Sequence, residues 1–173
     1  FLEKFEKISS GMSGRGFTRN QLLTLASIIE KETGAPEDRR IVSSVYSNRL
    51  ARGMLLQADP TVLYGKMVLS GHLEKNISRE DLKSQSPYNT YAIKGLPVGP
   101  IANPGLESMR AALEPDKTEF LYFVSKNNGT HTFSRDYGTH NSAVNDFQKN
   151  KKARAGKSWR DLKKSKETSP KPR

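Results

Sequence analysis

LLTLASIIEKETG, running from Leu22 to Gly34, is the stretch whose reading decides the fold. At about 100° per residue, Leu22, Leu23, Leu25, Ala26, Ile28 and Ile29 form a wide apolar arc, so the segment is a helix that must be buried on more than one side. Two glutamates sit at its end. Glu30 projects between Leu23 and Ala26, whereas Glu32 points to the opposite edge, because residues two apart do not share a helix face. Gly34 is placed to cap the helix.

A carboxylate on the apolar arc meets neighbours that oppose ionisation and the partial negative charge of the last helical turn, and both raise its pKa. A glutamate that keeps its proton near neutrality suits general-acid chemistry on a leaving oxygen. On this reading Glu30 is the candidate acid, and Glu32, nearer the fraying end, is the solvated one. An ordinary surface role for both glutamates stays open on pattern alone.

Working outward, Phe1, Leu2, Phe5 and Ile8 recur at helical spacing, and Thr18 or Asn20 can cap the helix that follows. From Glu37 to Arg52, Ile41, Val42, Val45, Tyr46 and Leu50 predict a second helix ended by Gly53. Asp59 before Pro60 reads as an N-cap followed by proline in the first turn. Ser78 and Asp81 resemble a capping box. Ser86 to Gly105 holds four prolines in twenty residues and is neither strand nor helix. Its Tyr88, Tyr91, Ile93, Leu96, Val98 and Ile101 argue for an ordered loop, either a glycan-binding wall of rings and amides or a cover for the core.

Leu106 to Leu113 reads as a further helix. Phe120 to Ser125 and His131 to Ser134, joined through Asn128 and Gly129, predict a β-hairpin, and Val144 and Phe147 predict a last helix from Asn141. Helices first and a hairpin late give an α+β class: a helical part packed with a small antiparallel sheet.

The chain has 173 residues, 34% of them hydrophobic, and a net charge of +11. That charge is unevenly placed. Lys149 to Arg173 holds eleven Lys and Arg against two acidic residues, leaving 18 against 16 for positions 1–148. The tail is therefore +9 and the body +2, so residues 1–148 read as the functional domain and 149–173 as a basic tail. Only Trp159 interrupts the tail with an aromatic ring, too few for base stacking, and nucleic acid is not the expected partner. Zero cysteines exclude disulfides and thiolate chemistry. No phosphate loop, zinc-protease HExxH or GxSxG is present, and His72, His131 and His140 are scattered, so neither cofactor nor metal is expected. A chain that begins at Phe1 reads as a fragment.

Several unusual segments agree in order with one family. LASIIEKET, LQADPTVLYG, SPYNTY, GLPVGPIANPG, LYFVS and GTHTFSRDYGTHN, from about Asn20 to Phe147, resemble the YceG-like endolytic murein transglycosylases. The resemblance implies a lysozyme-like cleft and Glu30 as catalytic glutamate. It implies that Gln57, Asp59, Tyr88, Asn89, Thr90, Tyr91, Asn103, His131 and Asn141 surround the cleft as substrate-binding residues. It further implies cleavage of the MurNAc–GlcNAc bond of peptidoglycan strands to 1,6-anhydro ends, terminating strand growth, with peptidoglycan synthases as partners. Family members carry a membrane helix and a LysM-like subdomain ahead of this region, which the resemblance places at the inner membrane facing the periplasm. Gln85, Val98 and Thr139 depart from the family's usual aspartate, proline and glutamate. A hydrolytic muramidase using the same glutamate, or an anionic-polymer or nucleic-acid binding module driven by the tail, are the alternatives.

Overall fold

The structure is a computed structural model, and it describes residues 16–72 and 76–150. The expected helix near Phe1 and most of the basic tail lie outside that range. The chain groups into two compact units, one running to Thr118 and the other beginning at Glu119, a division inside the single domain expected to residue 148.

In the first unit, α1 spans Arg19–Glu32. Thr18 is its N-cap, accepting from Gln21 N at 3.3 Å while Gln21 Oε1 accepts from Thr18 N at 2.8 Å, the reciprocal box that satisfies two orphan amides. Leu25, Ala26, Ile28 and Ile29 are wholly buried, as the two-sided apolar arc requires. The helix ends on Thr33 in extended conformation, and Gly34 is not the left-handed cap expected of it.

After a 3-10 turn at Pro36–Asp38, α2 spans Arg39–Ala51 and buries Val42, Val45 and Tyr46. Gly53 follows with φ +64°, a turn conformation that glycine takes without strain. α3 spans Asp59–Ser70 and stops at left-handed Gly71. Ser78 and Asp81 form the expected reciprocal bonds, at 2.7 and 3.2 Å. The proline-rich segment is irregular but ordered by its own polar groups, and it is tied to the core where Ile101 N donates to Ser27 Oγ at 3.0 Å. α4 spans Leu106–Leu113, with Met109, Ala111, Ala112 and Leu113 buried. The segment beyond it returns along α2 through Arg40–Asp116, at 2.9 Å, and Asn48 Nδ2 to Thr118 O, at 2.9 Å.

The second unit is a hairpin and a helix. β1 (Tyr122–Ser125) pairs antiparallel with β2 (His131–Ser134), with Phe123 opposite Phe133. Asn127, at φ +61°, and Gly129 turn the chain between them. α5 spans Tyr137–Val144, beginning earlier than expected because Asp136 caps it, accepting from Thr139 N at 2.9 Å. His140 of α5 stacks on Tyr122 with centroids 5.1 Å apart. These helices and one two-stranded antiparallel sheet make an α+β protein. Among the described residues no helix is long and apolar enough to cross a membrane.

Candidate active site

The two glutamates of α1 occupy different surroundings. Glu30 turns toward α4, where Oε2 accepts from Gly105 N at 3.1 Å and from Ser108 Oγ at 2.6 Å. Gly105 is the N-cap of α4 and Ser108 lies in its first turn, so Glu30 caps that helix from outside and satisfies an amide left orphaned there. Burial acts to raise its pKa, but the bonds from Ser108 and Gly105, with the charges of Arg39 and Lys31, outweigh it and hold the carboxyl below its ordinary value. The expectation of a raised Glu30 is thereby corrected. What the helical wheel omits is a hydroxyl and an amide brought from residues 105–108 to stabilise the anion.

Glu32 turns toward α2, where Oε1 accepts from the hydroxyl of fully buried Tyr46 at 2.6 Å. It is not the solvated glutamate of the expectation. Burial, reinforced by the nearby charge of Asp59, pushes its carboxyl up to about 7, against the opposing effects of Tyr46 and Arg49. Burial and Glu32 together drive the Tyr46 phenol well above its usual range, so it remains a donor.

Asp59 does not cap α3. It sits inside the first turn, where Ala58 is the N-cap, and its Oδ1 accepts from Tyr91 OH at 2.5 Å. Burial and Asp59 raise the Tyr91 phenol. The exposed Gln57 has φ +53°, costly for a side chain of its kind. Its backbone is held there by Thr90 O, 3.1 Å from Gln57 N. Buried Arg49 braces the same turn, donating from Nη1 to the carbonyls of Leu55 (3.2 Å) and Leu56 (2.9 Å) and to Gln57 Oε1 (3.4 Å).

Thus Glu32, Asp59, Tyr91 and Gln57 share one corner of the first unit, closed beneath by Tyr46 and Arg49 and open at Asp59 and Gln57. Tyr88, half-buried, packs edge-on against Tyr64 with centroids 4.7 Å apart. Asn103 is exposed in the loop that Glu30 anchors. Asn89 and Thr90 are wholly buried, and their expected contact with substrate is corrected to a bracing role. Asn89 Nδ2 donates to the carbonyls of Asp81, Leu82 and Ser84 at 3.3, 3.1 and 2.8 Å. Thr90 Oγ1 accepts from Ala58 N at 2.9 Å and pairs with Thr61 Oγ1 at 2.8 Å. His131 and exposed Asn141 belong to the second unit, on β2 and α5. Sequence reasoning missed Tyr46 and Arg49. A tyrosine and an arginine on the core-facing side of α2 were the available signal, since such polar groups are buried only with partners.

A carboxyl raised by burial beside a second carboxylate, in a corner rimmed by amide and phenol, is an arrangement that can give and take a proton near neutrality. Among the described residues no group of His, Asp and Glu could hold a metal ion. The chain belongs to the YceG-like family, whose model matches residues 1–146. It is 45% identical over 138 residues to the endolytic murein transglycosylase of Bacillus subtilis (strain 168), covering 80% of this chain and 37% of that protein. It is 38% identical over 121 residues to the protein of the same name from Streptococcus pneumoniae serotype 2, covering 67% and 21%. A crystal structure of a YceG-like protein from Listeria monocytogenes superposes with a TM-score of 0.69 at 40% identity, covering 82% of this chain and 43% of that one. The chain thus spans less than half the length of the relatives it matches.

Proposed function

We propose that this chain is the catalytic portion of an endolytic murein transglycosylase, with Glu32 in place of Glu30 as its acid. The observation that carries the assignment is the contrast in surroundings: Glu32 meets a single phenol in a corner with Asp59, Tyr91 and Gln57, where burial raises its carboxyl to about 7, whereas Glu30 accepts from both Gly105 and Ser108, which lower it. Only the former can lend a proton near neutrality.

In the proposed reaction Glu32 donates its proton to the oxygen linking MurNAc C1 to GlcNAc, that bond breaks, and an oxocarbenium-like centre forms at C1. Glu32, now a carboxylate, takes the proton of the muramoyl 6-hydroxyl as that oxygen bonds to C1. The product is a 1,6-anhydro end and no water is consumed. Gln57, Tyr91 and Asn103 are the exposed or half-exposed polar groups that can meet sugar hydroxyls. The substrate lies outside the cytoplasmic membrane, so this reading places the portion there, in a membrane-anchored parent working beside peptidoglycan synthases.

One observation favours hydrolysis as a second reading: Asp59 is a second carboxylate in the same corner and could orient a water onto C1. Incubation with purified glycan strands and mass analysis of the products separates the two, since the hydrolytic product is heavier by one water. Loss of all cleavage in Glu32→Gln, with cleavage kept in Glu30→Gln, supports the assignment. The reverse pattern removes it and returns the role to Glu30, the residue that the family resemblance implies.

A further inference from the structure

Asp59 is the group whose placement departs furthest from what local sequence demands. A residue before proline at a helix start ordinarily directs its carboxylate to the amides of that helix. Here no such capping bond is made, and the carboxylate instead meets Tyr91 at 2.5 Å. The position is fixed from behind. Thr90 holds Ala58 N, Thr61 Oγ1 and Gln57 N, so the residues on both sides of Asp59, and Tyr91 itself, hang on one buried threonine. Such an arrangement orders a carboxylate that makes no capping bond to α3.

We propose that Asp59, held by Tyr91, is a positioning residue that keeps Glu32 in its protonated form before reaction and makes it a stronger base afterwards. This rests on Glu32 being the acid. Two neighbouring carboxylates, one of them covered by α2, resist being charged together, so a carboxylate ordered at Asp59 leaves the proton on Glu32. When Glu32 gives that proton to the leaving oxygen, two anions face each other, and the same repulsion drives Glu32 to recover a proton from the 6-hydroxyl. A glycan strand that expels water from the corner strengthens the coupling. The groups facing Glu32 are Tyr46 and Arg49 from α2, Asp59 from α3 and Tyr91 from the proline-rich loop. Tyr46 and Arg49 favour the Glu32 anion, which leaves Asp59 as the charge acting against it. Glu30 and Lys31, its neighbours on α1, lie on other faces of the helix.

The test is the pH dependence of kcat/KM for glycan-strand cleavage by the full chain, in the wild type, Asp59→Asn, Tyr91→Phe and Glu32→Gln. The amide introduced by Asp59→Asn keeps the shape of the side chain and can still accept from Tyr91. This variant is expected to move the alkaline limb down by about one pH unit, costing roughly fivefold at pH 7 and roughly tenfold above pH 8, and recovering near pH 5. Tyr91→Phe should move the limb the same way by less. The Glu32 carboxyl resonance, titrated by NMR, should follow both shifts without reference to activity, and it serves where a variant is too unstable for kinetics. An equal loss at every pH, with limb and resonance unmoved, is the mark of a merely structural Asp59 and overturns the inference. Full turnover in Glu32→Gln would instead overturn the reading beneath it, whatever Asp59→Asn does.

Discussion

Glu30 and Glu32 lie two residues apart on one helix, yet one caps α4 and the other, the proposed acid, is turned toward α2. Glu30 meets donors only, an amide and a hydroxyl at the start of α4, and its charge is stabilised. Glu32 meets one phenol, a buried surface and a second carboxylate, and its charge is opposed. The lesson is that a place on the apolar arc does not by itself set a carboxyl's protonation, since burial raises both and the donors facing each glutamate differ. At Glu30 two donors and two nearby cations overcome burial, whereas at Glu32 burial, reinforced by Asp59, prevails over Tyr46 and Arg49.

The largest effect should come from exchanging each carboxylate for its amide. Glu32→Gln is expected to lower glycan cleavage by about 10²–10⁴-fold, the usual share of a general acid, as read by product release. Glu30→Gln should retain cleavage within about tenfold while losing stability, on the order of 1–2 kcal/mol, because α4 loses a charged acceptor. Equal activity losses would erase the contrast.

Next comes the pH dependence of stability. A carboxyl whose folded pKa is raised opposes folding once it ionises. The Glu32 contribution therefore declines as pH climbs from its unfolded value of 4.5 to beyond about 7. Denaturant titrations should show a decline of up to roughly 3 kcal/mol across that window, absent in Glu32→Gln. Glu30 has the opposite sign: its lowered pKa gives stability that is present above 4.5 and lost as pH falls through the folded value.

Smaller still, Ser108→Ala removes the 2.6 Å bond to Glu30 and should cost about 1.5–2 kcal/mol at neutral pH. The acid-side loss of stability should shrink with it. Tm and urea midpoints at two pH values check both. The least effect is expected for Gly105→Ala, where a Cβ would stand 3.3 Å from Glu30 Oε2. The carboxylate must give by a few tenths of an ångström, a cost below about 1 kcal/mol. A larger loss would mean that the cap is more rigid than its bonds imply.

Much of this frame is legible in residues alone. The apolar arc of α1, the separation of Glu30 and Glu32 onto different faces, α4, both hairpin strands and the Ser78–Asp81 box all follow from periodicity and turn chemistry. The partners of each glutamate do not, because they come from Tyr46 and Ser108, fourteen and 76 positions after Glu32. Asp59 misleads for the same reason: Pro60 gives it a local task, and only a tyrosine 32 positions away removes it. Asn89 and Thr90 resemble solvent-facing polar residues in any window of the sequence. Their burial is forced by a loop without regular structure, whose backbone groups need side-chain partners.

Arg49 sets how this rim can behave. Its planar head grips two successive carbonyls, Leu55 and Leu56, from below, so opening that turn would strand a charged group away from water. A receptor built on such a clamp does not yield to its guest. On the proposed function, bending toward the reactive ring shape then falls to the polysaccharide, and chains would be selected by how readily they deform.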